Sequence, residues 1–255
     1  ITLSGGVITS GDAANIGLTS SVNYGKYSDG IQLCRESNSN INISGTAAIT
    51  TYGYQANGIL IEGNSSDSSL FSNNSINMSG GSITTKGLNS SGILSSYSDN
   101  TSITLSGGVI TSGDAANIGL TNSLDYGEQS YGIQLYLNNN SSIGISGAAA
   151  IKTYGYEARG IYIEGNSSDS SLFSNNSINM SGGSITTKGV YSSGILSSYS
   201  DNTSVNISAG SITTGDAANI GLTSSVDYGE ISHGIRLQLG NNSSIDISGT
   251  ADLTT

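Results

Sequence analysis

The side chains whose type and spacing could do chemistry recur with the chain itself. Asp12, Asp114 and Asp216 lie 102 residues apart, as do Tyr24, Tyr126 and Tyr228, each set in a Gly-, Asn- and Ser-rich loop. A second loop carries Glu62 and Asp67, repeated as Glu164 and Asp169. Asp99 also recurs, as Asp201. Carboxylates among so many oxygen donors raise calcium as a cofactor, but calcium takes six to eight oxygens from a shaped loop. Neither an EF-hand loop nor the glycine-aspartate nonapeptide of secreted calcium-binding rolls is present. The simpler reading is that the carboxylates cap turns. Loop tyrosines could stack on sugar or anchor an interface, and the simpler reading again is that they cover the coil edge.

Catalysis finds less support. His233 is alone, and its counterparts are Asp29 and Tyr131. Cys34 aligns with Tyr136 and Gln238 and has no histidine partner nearby. Arg35, Arg159 and Arg236 each stand where the other copies are uncharged. A polysaccharide-cleaving site would need clustered carboxylates, often with a basic group, on neighbouring coils. No catalytic residue and no enzyme activity are therefore expected.

The repeat that spaces these residues also fixes the elements that must hold them. ITLSGGVITSGDAANIGLTSS at Ile1 returns at Ile103 with Asn122 for Ser20, and in diverged form at Val205, so the unit is 102 residues. The chain divides into units 1–102, 103–204 and a partial 205–255, read as one continuous domain. Within them an apolar-x-apolar-Ser-Gly motif begins at Ile1, Ile41, Ile76, Ile103, Ile143, Ile178, Val205 and Ile245, with Ala209 replacing one glycine. Three unequal coils make each unit, and eight coils fill the chain.

Each coil has two further short segments, such as VITS at Val7 and GIQL at Gly30. Ile1 and Leu3 flank Thr2, and Ile31 and Leu33 flank Gln32, which is the period of a strand. Gly, Asn and Ser break every run that could become a helix. Strands of about four residues bury no face alone, yet a coil stacked on its copy sets each Ile over the next. The fold expected is all-β, a parallel β-helix or β-solenoid with three short strands per coil and ladders about 4.8 Å apart. The absence of Pro suits it, since Pro would delete a ladder donor. Inward Ser10, Thr51 and Thr85 are expected to form a hydrogen-bonded ladder, and Leu70 and Phe71 to tuck back as a small satellite core.

Composition bounds the partners. With 7 Lys+Arg against 18 Asp+Glu and a formal charge of −11, the chain has no basic stripe for nucleic acid or an anionic membrane. No apolar run reaches the roughly 18 residues of a membrane helix. One Cys in a chain rich in Ser, Thr, Asn and Gly suits a secreted bacterial surface protein. The sequence opens at Ile1 in mid-pattern and begins and ends on strand-like segments, so it is expected to be a window of something longer, or to stack end to end as a filament.

The pattern in SGGSITTKGLNSSGI, from Ser79 to Ile93, resembles the passenger region of bacterial autotransporters and related secreted β-helix adhesins. That resemblance covers the whole chain. It implies a right-handed parallel β-helix outside the cell, usually anchored through a C-terminal outer-membrane barrel. The expected role is a stiff stalk or fibre whose repeated loops meet one another, or the glycans and proteins of a neighbouring cell surface. Two competing roles are a carbohydrate-binding or carbohydrate-cleaving module and a calcium-dependent adhesin.

Overall fold

The structure is a computed structural model describing residues 1–11, 27–113, 129–189, 191–215 and 232–255. Among these residues there is no helix; the strands form two all-parallel sheets. The first two segments of every coil share one sheet of 11 strands. These are β1 (Thr2–Leu3), β2 (Val7–Ser10), β4 (Asn40–Ile43), β5 (Ala48–Tyr52), β7 (Ser75–Lys86), β9 (Ser102–Ser112), β11 (Ser142–Ile145), β12 (Ala150–Tyr154), β14 (Ser177–Lys188), β16 (Ser204–Thr214) and β18 (Ser244–Thr254). The third segments form a sheet of seven: β3 (Ile31–Cys34), β6 (Ile59–Glu62), β8 (Ser91–Ser96), β10 (Tyr131–Tyr136), β13 (Arg159–Glu164), β15 (Ser193–Ser198) and β17 (His233–Gln238).

The expected separation of the first two segments holds only in some coils. In β7, β9, β14, β16 and β18 they run together as strands of 11 or 12 residues. An irregularity at the Ser-Gly-Gly corner joins them, shifting the register between Met78 and Ser82. Positive φ is needed at one glycine of that corner. It falls on the second in SGG coils, at Gly81 and Gly108, and on the first in SGT and SGA coils, at Gly45 and Gly147. Ala209 is tolerated because its coil places the positive φ at Gly210.

Like residues stack as the alternation requires. Ile41 pairs with Ile76, Ile76 with Ile103, Ile103 with Ile143 and Ile143 with Ile178. Ile49, Ile83, Ile110, Ile151 and Ile185 form a second row, and Ile59, Ile93, Ile133, Ile161 and Ile195 a third. All of them are fully buried, and the three rows meet in one core between the sheets.

The inward hydroxyl row is only partly the expected ladder. Thr51 Oγ1 donates to the Ala56 carbonyl at 2.8 Å, and Thr85 Oγ1 to Ser112 Oγ at 2.8 Å. Thr153, Thr187 and Thr214 lie in the same buried row, yet their hydroxyls have no partner. Leu70 and Leu172 correct the satellite-core reading, because they stand 56% and 54% exposed while Phe71 and Phe173 are half-buried. The turns that carry them are closed by their own polar groups, Asp67 with Ser69 and Asp169 with Ser171.

Candidate functional site

The outer face of the seven-stranded sheet carries the site. Its residues alternate with the buried rows, so Gln32, Leu60, Leu94 and Gln134 stand side by side across β3, β6, β8 and β10. This row is the floor of a groove of about 720 Å³ that runs across the first four coils and takes Glu164 from the fifth. Three strand spacings separate its two glutamines, so the floor is about 14 Å long.

One wall is made by turn residues that precede these strands. Tyr27, Gln55, Asn89 and Gln129 all line the groove and all have φ between 50° and 57°. The amides of Tyr27, Gln55 and Gln129 bond across the coils, as from Tyr27 to the Tyr54 carbonyl at 3.1 Å and from Gln129 to the Tyr156 carbonyl at 2.9 Å. A left-handed turn in each coil thus points a large side chain along one edge. The other wall follows the strand ends, where Glu62, Ser96, Tyr136 and Glu164 lie in register. Tyr97, whose φ is 51°, sets its ring edge-to-face against Tyr136 at 5.5 Å.

Charge in the groove is acidic. Asp29 Oδ1 accepts the backbone N–H of Asn57 at 2.7 Å and its side-chain amide at 3.1 Å. Burial nevertheless pushes the Asp29 carboxyl above its usual value, the Asn57 bonds oppose this, and the nearby Glu62 carboxylate adds to the rise. Burial also raises Glu164, against the pull of Arg159 and hydrogen bonds to Tyr162 and Gln134. The Tyr136 hydroxyl is pushed up to about 12, first by burial and then by its bond to Tyr97.

The same face is filled in the second unit. Tyr131, Arg159 and Tyr162 replace Asp29, Asn57 and Leu60. The Arg159 guanidinium lies 4.5 Å from the Tyr162 ring centroid and 5.2 Å from that of Tyr131, and donates to the Tyr131 hydroxyl at 2.8 Å. The two rings meet edge-to-face at 5.2 Å, and Glu157 approaches Arg159 to 3.9 Å. Cation and aromatic faces pack on one another, although the buried Arg159 Nε has no hydrogen-bond partner. The groove ends against this plug, with Tyr131 as its end wall.

Glu164 gives a pH signature. Its raised pKa means the ionised side chain disfavours the fold, so its contribution to stability is complete below the ordinary value of 4.5 and is lost as pH rises through the higher folded value. Glu164→Gln is therefore expected to melt above the parent at pH 7 and together with it near pH 4. Thermal melts at both pH values check this, and a variant melting below the parent at pH 7 would sink it.

Of the residues singled out from sequence, Glu62 and Glu164 line the groove. Asp67 and Asp169 do not. Asp67 Oδ1 accepts the Ser69 N–H at 3.0 Å and its hydroxyl at 2.6 Å, and Asp169 does the same with Ser171, which is the turn-capping role. Asp99 and Asp201 strap neighbouring coils, accepting the N–H of Asn139 at 2.9 Å and of Asn241 at 2.7 Å. Among the described residues no three His, Cys, Asp or Glu side chains gather as a metal set. Asp12, Tyr24, Asp114, Tyr126, Asp216 and Tyr228 lie outside the described residues. Sequence reading missed the groove itself. Its signal was available at positions 29, 57 and 60, where two otherwise near-identical units change side-chain class. No protein-family model, no curated protein and no solved structure matches the chain.

Proposed function

We propose that this chain is a right-handed β-solenoid of eight coils that serves as a stiff, non-enzymatic stalk or fibre at a bacterial cell surface, of the autotransporter-passenger type. The observation that carries the reading is the register across unit boundaries. Ile76 pairs with Ile103 and Ile83 with Ile110, and Ile178 pairs with Val205 and Ile185 with Ile212, so the ladder passes from unit to unit without a break. A chain built this way lengthens by adding copies, and each coil is held by its neighbours alone. Right-handedness rests on the strong preference of parallel strand connections for that hand. The extracellular setting rests on composition, with one Cys and abundant Ser, Asn and Gly. Many identical loops along such a rod multiply weak contacts, whether with other copies or with a neighbouring cell surface.

Inserting one more copy of residues 103–204 tests this. The particle is expected to lengthen by about 14 Å, three strand spacings, at constant cross-section in small-angle scattering and electron microscopy. A particle that thickens, or whose length does not change, would overturn the reading.

A further inference from the structure

We infer that the groove over the first unit is a binding site for an uncharged oligosaccharide. The inference goes beyond the role of the rod and does not depend on it.

Three observations converge. The floor sets two leucines, Leu60 and Leu94, between two amides, Gln32 and Gln134, and Tyr97 and Tyr136 rise at one wall. Apolar and aromatic faces flanked by amides match a pyranose ring, which has C–H faces and a rim of hydroxyls. Next, the acceptors are fixed before a ligand arrives. Asp29 is held through Oδ1 by both amides of Asn57, and Gln134 Oε1 accepts the Ser91 hydroxyl at 3.2 Å. This leaves Asp29 Oδ2 to face a hydroxyl group, while the Gln134 amide is held in place by Glu164. Finally, the open face at Asp29, Asn57 and Leu60 is where the first unit departs from the second. At the equivalent positions the second unit places Tyr131, Arg159 and Tyr162, which close the face with a cation packed on rings. Both units keep their buried rows, so the change touches the presented surface and not the core.

The charge selects the class. Asp29, Glu62 and Glu164 line the groove, and the Arg159 guanidinium beside it is already committed to Tyr131 and Tyr162. Uronate, sialylated and sulfated chains would meet carboxylates, and among the described residues that line the groove there is no Lys or Arg to offset them. The groove runs along the stacking direction, in which a floor side chain recurs with each strand about every 4.8 Å. An extended chain of pyranoses advances at a similar step, so each ring meets one floor residue.

The test uses the chain's own second unit. In the full chain, Asp29→Tyr, Asn57→Arg and Leu60→Tyr together install the plug that the second unit already carries without loss of its ladder. Neutral gluco-, galacto-, manno- and N-acetylglucosamine oligosaccharides, polygalacturonate and sialylated glycans, and chitosan oligomers are presented on an array, with calorimetry on any that bind. The expected result is binding of at least one neutral class, weakened at least tenfold by the triple change, with melting and rod length unchanged. Leu94→Ala, which removes only floor, is expected to weaken the same ligand severalfold. No neutral binder, equal binding by the plugged variant, or preference for the acidic or cationic chains would each overturn the inference. Cleavage of a bound oligosaccharide would overturn the non-enzymatic reading instead. A rod that fails to lengthen would bear on the stalk alone.

Discussion

Gly160→Ala is expected to destabilise the protein by about 3 kcal/mol, at the upper end of what overpacking costs. A Cβ at Gly160 would lie 2.2 Å from Ile185 Cγ2 and 2.5 Å from the Gly194 carbonyl oxygen. Neither neighbour can yield. Ile185 belongs to a fully buried isoleucine row, and the Gly194 carbonyl is backbone of the adjacent strand. The crowding repeats at Gly58, Gly92 and Gly132, each within 2.3 Å of an isoleucine Cγ2 and under 3 Å from the next glycine's oxygen. Glycine opens the third segment for this reason, and no positive φ is involved. The two sheets come together along this column, so one methyl group opens the seam between them. Gly144→Ala is the control, because nothing lies within 4 Å of its Cβ and it faces outward on β11. Urea titrations of both variants decide the matter. Equal midpoints would show that the seam relaxes, and the column would then be an accident of duplication.

That column was half legible in the sequence. The third segments open on Gly-Ile, and the alternation of Ile31 and Leu33 about Gln32 predicts inward isoleucines, as Ile93 and Ile133 are in the structure, where they are fully buried. Period and register follow from a simple constraint: slipping a strand by one residue would turn its isoleucines outward. What a single strand cannot express is which segments share a sheet. The sequence predicts the first two segments as separate strands, and the structure joins many of them across the glycine corner, where pairing resumes after a register shift. The groove was harder to see for a related reason. Its parts come from five coils, so Asp29 and Gln134 lie far apart in sequence and come to line one groove only through stacking. Repetition drew attention to residues that stay the same, such as Asp67 and Leu70, while the site is made where copies differ. Asp67 proved to close a turn, and Leu70 stands in solvent, since a loop sealed by its own hydrogen bonds does not need the leucine.

Asn176→Ala is expected to cost about 2 to 4 kcal/mol, because it strands buried backbone groups on both sides of a coil. Asn176 Oδ1 accepts the Ser141 N–H at 3.0 Å, while Nδ2 donates to the Asn138 carbonyl at 2.9 Å and to Ser200 Oγ at 3.3 Å. The side chain is 2% exposed, so water cannot replace it. One unit earlier Asn74 repeats the arrangement, accepting the Ser39 N–H at 2.9 Å and donating to the Glu36 carbonyl at 2.9 Å and Ser98 Oγ at 3.2 Å. These asparagines do for the corners what the isoleucines do for the faces. A strand satisfies its own backbone through its neighbours, but a turn between strands has donors and acceptors that stacking does not reach, and the amide supplies one of each. Ser95 shows how far this polar spine enters the core. It takes the place held by Ile61 and Leu135 in adjacent coils, donates to Thr101 Oγ1 at 3.1 Å and accepts from Asn138 Nδ2 at 2.7 Å. Loss of Asn176 should therefore break the stack at one coil and leave the remainder paired, giving two unfolding transitions where the parent gives one. Denaturation followed at once by far-ultraviolet dichroism and tyrosine fluorescence reads this. A single transition at the parent's midpoint would mean that the corners are held by the strands alone.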